Sequence, residues 1–94
     1  MARLQVTCIT KLHPQSAHEH ITHIGNPINK WILATPDVIR RIDQKTDSFY
    51  IIDPQTGKVS HIGVVRVVGR NPYIRTYSDG DWNNNLLSLN QCPL

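Results

Sequence analysis

A single short helical segment stands in a chain whose other patterned segments resemble strands, and this contrast limits the fold most. Thr35 is placed to cap a helix at its N-terminus, and Pro36 suits the first helical position. We therefore expect one helix over about residues 36–45. Its apolar stripe follows helical spacing and consists of Val38, Ile39 and Ile42.

This helix is too short for a parallel α/β fold. Crossovers between parallel strands need a dozen or more residues, so the segment can serve such a connection no more than once. We therefore expect the α+β class: a curved, mostly antiparallel sheet of about five or six strands with one short helix (about 36–45). The 94 residues suit one compact domain, residues 1–94.

The strand-like segments are recognised by alternating apolar residues and by β-branched or aromatic content. A hairpin is expected around "DPQTG", where Pro54 suits a type I turn and Gly57 the left-handed conformation. Gly63 indicates a bulge or bend in the strand that follows. The predicted strands cover residues 3–12, 20–24, 30–34, 48–52, 58–68 and 73–77.

Composition excludes several classes of protein. Hydrophobic residues make up 39% of the chain and charged residues 18%, which suits a folded globule and not a disordered chain. No apolar run is long enough to span a membrane, and the N-terminus lacks the apolar core of a targeting peptide. We therefore expect cytoplasmic residence and no membrane partner.

The two cysteines, Cys8 and Cys92, lie near opposite ends of the chain. Two cysteines are too few for a disulfide scaffold. Cys8 alternates with apolar residues of the first predicted strand, so we expect a buried thiol that acts as a small hydrophobe. The ends of a domain often lie close together, which leaves a contact with Cys92 open, although the reducing cytosol disfavours a disulfide.

The closing segment "YIRTYSDGDWNNNLLSLNQC" carries a family resemblance, together with "VTCITK" near the start, "WIL" before the helix, and "SFYI". These segments resemble the small bacterial domains grouped as DUF3892. The resemblance implies a compact α+β domain and no established activity. Its most specific positions are Tyr73, Arg75, Thr76, Asp79, Gly80, Asn85, Leu86, Leu89 and Cys92.

The same segment holds the candidate ligand site. Arginine forks, hydroxyls and amides are suitable ligands for a phosphate, and aromatic rings can stack on a base. Tyr77 and Trp31 are further candidates for stacking. The residues predicted to bind a ligand are Arg70, Tyr73, Arg75, Thr76, Asp79, Trp82, Asn83 and Asn85.

A purely structural interpretation of these residues is open as well. The aromatic rings can belong to the core or its rim, and Arg75 can pair with Asp79 or Asp81 across the turn. Successive asparagines favour turns, because their side chains hydrogen-bond to nearby backbone groups. They can therefore hold an irregular backbone as well as offer amides to a partner.

A histidine-rich stretch offers an alternative kind of site. His13, His18, His20 and His23 fall close together, and a zinc site needs three or four such ligands. No recognised zinc spacing accompanies them, so a polar loop is favoured and no metal is predicted. The metal alternative would use His18, His20 and His23.

No catalytic motif is found. The serines and cysteines stand in no nucleophile elbow, and the acidic pair of "SDGD" suits a turn. We therefore expect no catalytic residue, no cofactor and no enzyme. The favoured function is a binding module for a small anionic, nucleotide-like ligand, in a homo-oligomer. A nucleic-acid or protein interaction module is the alternative, because the net charge of +3 is only mildly basic.

Overall fold

The computed structural model describes residues 2–11, 21–53, 55–78, 80–83 and 85–92. Within these ranges the chain forms nine strands, one α-helix and one 3-10 helix. The elements are β1 Ala2–Gln5, β2 Cys8–Lys11, β3 Ile21–Asn26, β4 Trp31–Ala34, α1 Thr35–Asp43, β5 Asp47–Ile52, β6 Val59–Val65, β7 Tyr73–Ser78, β8 Asp81–Asn83, the 3-10 helix Asn85–Ser88, and β9 Asn90–Gln91. The predicted α+β class with one short helix is confirmed.

The strands form two sheets instead of the single sheet predicted. One has five strands in the order β1-β5-β6-β7-β8, and the other has four in the order β4-β3-β2-β9. The expected strand 3–12 is divided between them. The Val6 N–H donates to the Tyr50 carbonyl at 2.8 Å, and the Thr7 N–H donates to the Gly25 carbonyl at 2.9 Å. Adjacent amides thus bond to different sheets, so the chain passes from one sheet to the other here.

Most strand pairs are antiparallel, as expected. The exceptions are β1 with β5 and β2 with β9, which are parallel. Both exceptions join strands that are far apart in the sequence. The start of the chain is therefore paired with its middle, through β1 and β5, and with its end, through β2 and β9.

The core lies between the sheets and the helix. Val38 of α1 is fully buried, and the helix contacts β3 and β4 of one sheet and β5, β6 and β7 of the other. Burial of these aliphatic side chains supplies the main stabilising free energy of the fold. The buried cluster comprises Val6, Ile9, Ile21, Ile24, Val38, Phe49, Ile51, Ile62, Ile74 and Leu86.

The helix begins one residue earlier than predicted. Thr35 is its first residue, and the N-cap is Ala34, which makes no side-chain cap hydrogen bond. The predicted capping role of Thr35 is wrong because its hydroxyl donates to the Ile21 carbonyl at 2.9 Å. The hydroxyl therefore ties the start of the helix to β3.

The prediction that Cys8 is a free buried thiol is wrong. Cys8 and Cys92 form a disulfide, and their Cα atoms are 4.8 Å apart. The parallel pairing of β2 with β9 brings the two ends together, and the Cys92 N–H donates to the Ile9 carbonyl at 2.9 Å. The bond therefore fastens the end of the chain to the first strand of the four-stranded sheet.

Two glycines of the β5–β6 hairpin, Gly57 in its turn and Gly63 within β6, have different roles. Gly57 has φ +74° and its N–H donates to the Asp53 carbonyl at 2.8 Å, which confirms its predicted turn conformation. Pro54 lies outside the described residues. Gly63 forms no bulge, since β6 and β7 keep one register on both sides of it. No helix in the described part of the chain is long and apolar enough to cross a membrane.

Candidate functional site

The outer face of the five-stranded sheet carries a row of ring side chains. Side chains alternate along a strand, and the buried Phe49, Ile62 and Thr76 mark the inner face. The register pairs Tyr50 with His61, His61 with Tyr77, and Tyr77 with Trp82. One cross-strand row on the outer face, here named the ring row, therefore consists of Tyr50, His61, Tyr77 and Trp82.

Three neighbouring rings of this row are in contact. The ring centroids of His61 and Tyr77 are 5.7 Å apart, and those of Tyr77 and Trp82 are also 5.7 Å apart, with an interplanar angle of 79° between the latter two. Both Tyr77 and Trp82 stay partly open to solvent, with 38% and 46% of their surface exposed. At the opposite end, the Arg3 guanidinium lies 4.5 Å from the centroid of the Tyr50 ring. The row thus presents aromatic surface and ends at a cation.

A cavity of about 390 Å³ opens beside the last two rings of the row. Gly63 forms part of its lining, and a Cβ atom at this position would lie 3.0 Å from Tyr77 Cε1 and 3.2 Å from Trp82 Cη2. Only glycine therefore lets both rings lie this close to β6. The other lining residues are Val64 and Gly80.

Arg75 is not a lining residue of the cavity, but it lies across from one. It is the register partner of Gly63 on β7 and belongs to the same outer face. Directly opposite residues of an antiparallel pair have Cβ positions about 5 Å apart, so the arginine stem borders the glycine gap. Its Nε donates to the Asn83 carbonyl at 3.2 Å, which holds the guanidinium near β8.

An internal network of amides and hydroxyls supports the site from the inner face. The Thr76 hydroxyl donates to Asn83 Oδ1 at 2.5 Å and accepts from the Leu86 N–H at 3.2 Å. The side-chain amides of Asn83 and Asn85 both donate to Ser60 Oγ at 3.2 Å. Asn83 Oδ1 also accepts from the Asn85 N–H at 3.0 Å. This amide network, made of Ser60, Thr76, Asn83 and Asn85, fixes β8 and the 3-10 helix below Trp82.

The structure brings together only part of the predicted site. Trp82 lines the cavity, and Arg75 lies opposite the lining residue Gly63. Thr76, Asn83 and Asn85 direct their side-chain hydrogen bonds to the amide network. Their role at the cavity is therefore to hold its frame. Asp79 lies outside the described residues.

Two other predicted residues lie away from the cavity. Arg70 is exposed in the turn before β7, and Tyr73 begins this strand. Tyr73 and Tyr77 are four residues apart on one strand face, which corresponds to about 13 Å. Arg70 therefore lies near the start of β7, whereas Trp82 pairs with Tyr77 near the end of this strand. Trp31 lies on β4 with its ring 6.0 Å from Phe49, so it belongs to the core rim.

Sequence reasoning missed three residues of this face: Tyr50, His61 and Gly63. Each lies on a strand that was predicted, but the residue opposite it on the next strand depends on register. A glycine inside a run of β-branched residues was the available signal for Gly63. The predicted bulge at Gly63 is wrong, because the glycine instead allows close approach of side chains from the neighbouring strands.

Two further groups of polar residues lie apart from the ring row. Arg66 pairs with Asp43 at the end of α1. In the described ranges no three histidine, cysteine or acidic side chains are grouped to hold a metal ion. His13, His18 and His20 lie outside those ranges, and His23 Nδ1 lies 2.9 Å from the Thr22 hydroxyl.

Comparisons with known proteins place the chain in a family. The DUF3892 model, described as a protein of unknown function, matches residues 5–90. The searches of curated proteins and of solved structures find no match. Because the matched range covers most of the chain, including the helix and the residues that line the cavity, the predicted resemblance is confirmed, and the chain belongs to the DUF3892 family of unknown function.

Proposed function

We propose that the protein is a non-catalytic binding module for a small anionic ligand that carries an aromatic base, such as a nucleotide. The observation that supports this proposal is the cavity lined by Gly63, Tyr77 and Trp82, with Arg75 opposite the glycine on β7. A planar base can stack on one ring and contact the edge of the other. The guanidinium is suited to a phosphate, because its planar fork can donate two parallel hydrogen bonds.

The size of the cavity agrees with this class of ligand. Pockets for small molecules usually have volumes of about 300 to 1,000 Å³. At about 390 Å³, this cavity suits one base with its sugar, and the phosphate would lie toward Arg75 at the rim. A ligand of this kind would be sequestered or sensed without any chemical change.

The rigid frame of the site also supports binding. Asn83 is held by Thr76 and Ser60, and it lies two residues before the first residue of the 3-10 helix. Trp82 therefore sits next to a fixed point on β8, which lowers the entropy lost when a ligand orders its ring. A preformed aromatic wall favours affinity for a stacked base.

Two further features belong to the proposal. We propose that the protein forms a homo-oligomer, which size-exclusion chromatography with light scattering tests directly. We also propose cytoplasmic residence. The redox state of Cys8 and Cys92 tests this location, because disulfides persist mainly in oxidising compartments. Alkylation of thiols in freshly lysed cells should show the reduced form, and a fully intact bond would count against this location.

The ligand proposal is tested by thermal shift against a panel of nucleotides, nucleosides and sugar phosphates. A nucleotide should raise the melting temperature of the wild-type protein and of Arg40→Gln, but not that of Arg75→Gln. Arg40 is a matched control, because it is an exposed arginine on α1 that pairs with Asp37 at 2.9 Å. No shift with any member of the panel, or equal shifts in both variants, would overturn the proposal.

A further inference from the structure

We infer that the whole ring row, and not only its cavity end, is a stacking surface for a short single-stranded nucleic acid that lies across the strands. The four rings stand on the neighbouring strands β5, β6, β7 and β8, and each is the register partner of the next. The inference goes beyond a mononucleotide ligand, and it rests on the proposed function at one position, the Tyr77–Trp82 cavity.

The length of the row suits more than one base. Neighbouring strands lie about 4.8 Å apart, so three strand steps from Tyr50 to Trp82 correspond to about 14 Å. Antiparallel sheets that bind RNA stack two or three bases on aromatic side chains of their open face. The Arg3 guanidinium over Tyr50 extends the surface by one further plane, since bases stack on guanidinium groups as well.

The charge of this face is complementary to a phosphate backbone. On the described strands, the charged side chains of the outer face are Arg3 and Arg75, and both are positively charged. Asp47 is buried on the inner face. Alternation along β8 places Asp81 on the other face of the sheet from Trp82. A phosphate chain that crosses this face therefore meets two cations and no described carboxylate on these strands.

The chemistry of the row selects a single strand over a duplex. Bases in a duplex are stacked on each other and hide their faces, whereas an unpaired base can place its face on an aromatic ring. The rings lie on a strand face, and no described helix stands above this row to enter a groove. Sequence preference should be weak, because every base has a π-face.

The test uses the full chain with oligo(U) and oligo(dT) of two, four, eight and twelve nucleotides, labelled at the 5′ end, in fluorescence anisotropy. We expect affinity to rise with length up to about four nucleotides and then to level off. Two phosphate contacts predict that log K falls with log salt with a slope of about −1.4. Duplex DNA of the same length should bind at least tenfold more weakly.

Variants separate this inference from the proposed function. His61→Ser and Tyr50→Ala should each weaken oligonucleotide binding about tenfold and leave mononucleotide binding, measured by calorimetry, unchanged. His61→Phe should retain oligonucleotide binding because it keeps a ring. The control Ile52→Ala removes an exposed side chain from the same strand face and should change affinity less than twofold.

Three results would overturn the inference. One is equal affinity for a mononucleotide and for every oligonucleotide, which would leave the proposed function standing alone. Another is unchanged oligonucleotide affinity in both His61→Ser and Tyr50→Ala. The third is the absence of any anisotropy change at low salt with high protein concentration. Binding of oligonucleotides without any mononucleotide binding would instead support the surface and contradict the small-ligand function.

Discussion

Gly63 shows how one missing side chain can shape a site. Its hydrogen atom occupies the place where a Cβ atom would lie 3.0 Å from one ring and 3.2 Å from another. The two rings are partly exposed, so they can give way without disturbing the core. The glycine therefore controls the cavity more than it controls the stability of the fold.

Gly63→Ala should narrow the cavity by pushing Tyr77 and Trp82 away from β6. We expect nucleotide affinity to fall about tenfold, equivalent to about 1.4 kcal/mol, with little change in the free energy of unfolding. Calorimetry and urea denaturation measure the two quantities. The matched control is Gly69→Ala, where φ is +81° and nothing lies near, so stability should fall by about 1 kcal/mol and affinity should not change. Unchanged nucleotide affinity in Gly63→Ala together with reduced affinity in Gly69→Ala would contradict this prediction.

For single residues, the sequence predicts the kind of interaction a side chain makes better than it predicts where in the fold that side chain lies. The asparagines were expected to hold an irregular backbone, and Asn83 Oδ1 does so by accepting from the Asn85 N–H at 3.0 Å. Arg75 and Trp82 were expected at the site; Trp82 lines the cavity, and Arg75 is the register partner of the lining residue Gly63. The membership of His61 in the ring row was not expected, because its place beside Tyr77 depends on long-range strand register that local patterns do not encode.

Among the elements, the helix illustrates which signals are local. Its apolar stripe and Pro36 were enough to place it, and it covers Thr35–Asp43. Its side-chain pairs were not predictable in the same way. Asp37 pairs with Arg40 at 2.9 Å, whereas Arg41 pairs with Asp47 at 2.7 Å. Arg41 thus pairs with a residue of β5 instead of with Asp37, which lies four residues earlier on the same helix.

The end of the helix gives a prediction about stability. The Thr46 N–H donates to the Arg41 carbonyl at 3.0 Å, and the Lys45 N–H donates to the Ile42 carbonyl at 3.1 Å. These two bonds define a Schellman motif, in which glycine usually occupies the left-handed position. That position is held by Lys45, with φ 57°.

Lys45→Gly should therefore raise the free energy of unfolding by about 1 kcal/mol, because glycine adopts positive φ without steric cost. The neighbouring Gln44 has ordinary helical dihedral angles, φ −82° and ψ −3°, so Gln44→Gly should lower stability instead. Urea denaturation measures both variants. A destabilised Lys45→Gly protein would show that the lysine side chain contributes more than its backbone strain costs.

For the molecule as a whole, long-range pairing decides the architecture. The alternation of residues 3–12 correctly indicated extended chain, but it held no sign that β1 and β2 belong to different sheets. That division requires partners 40 or more residues away for β1, as in the pairing of Leu4 with Phe49. The number of sheets and the contact between the chain ends are therefore tertiary properties that local sequence patterns do not reveal.

The Cys8–Cys92 bond should be a major source of stability. It closes a loop with a sequence separation of 84 residues, and loops of this length limit the unfolded chain strongly. We expect Cys92→Ala, or full reduction under denaturing conditions, to lower the free energy of unfolding by about 2–5 kcal/mol. Both sulfurs are buried, so a mild reductant should act slowly on the folded protein. An unchanged urea midpoint after complete reduction would contradict this prediction.

The proposed function requires one cavity to bind a base through Trp82 and a phosphate through Arg75. Calorimetry with each common nucleoside 5′-monophosphate, its nucleoside and ribose 5-phosphate tests both halves together. For the best-bound nucleotide, Arg75→Gln should reduce its affinity to that of the nucleoside in the wild-type protein, and Trp82→Ala should reduce it to that of ribose 5-phosphate. Nucleotide affinity that is unchanged in both variants, or undetectable for every nucleotide, would contradict the proposed function.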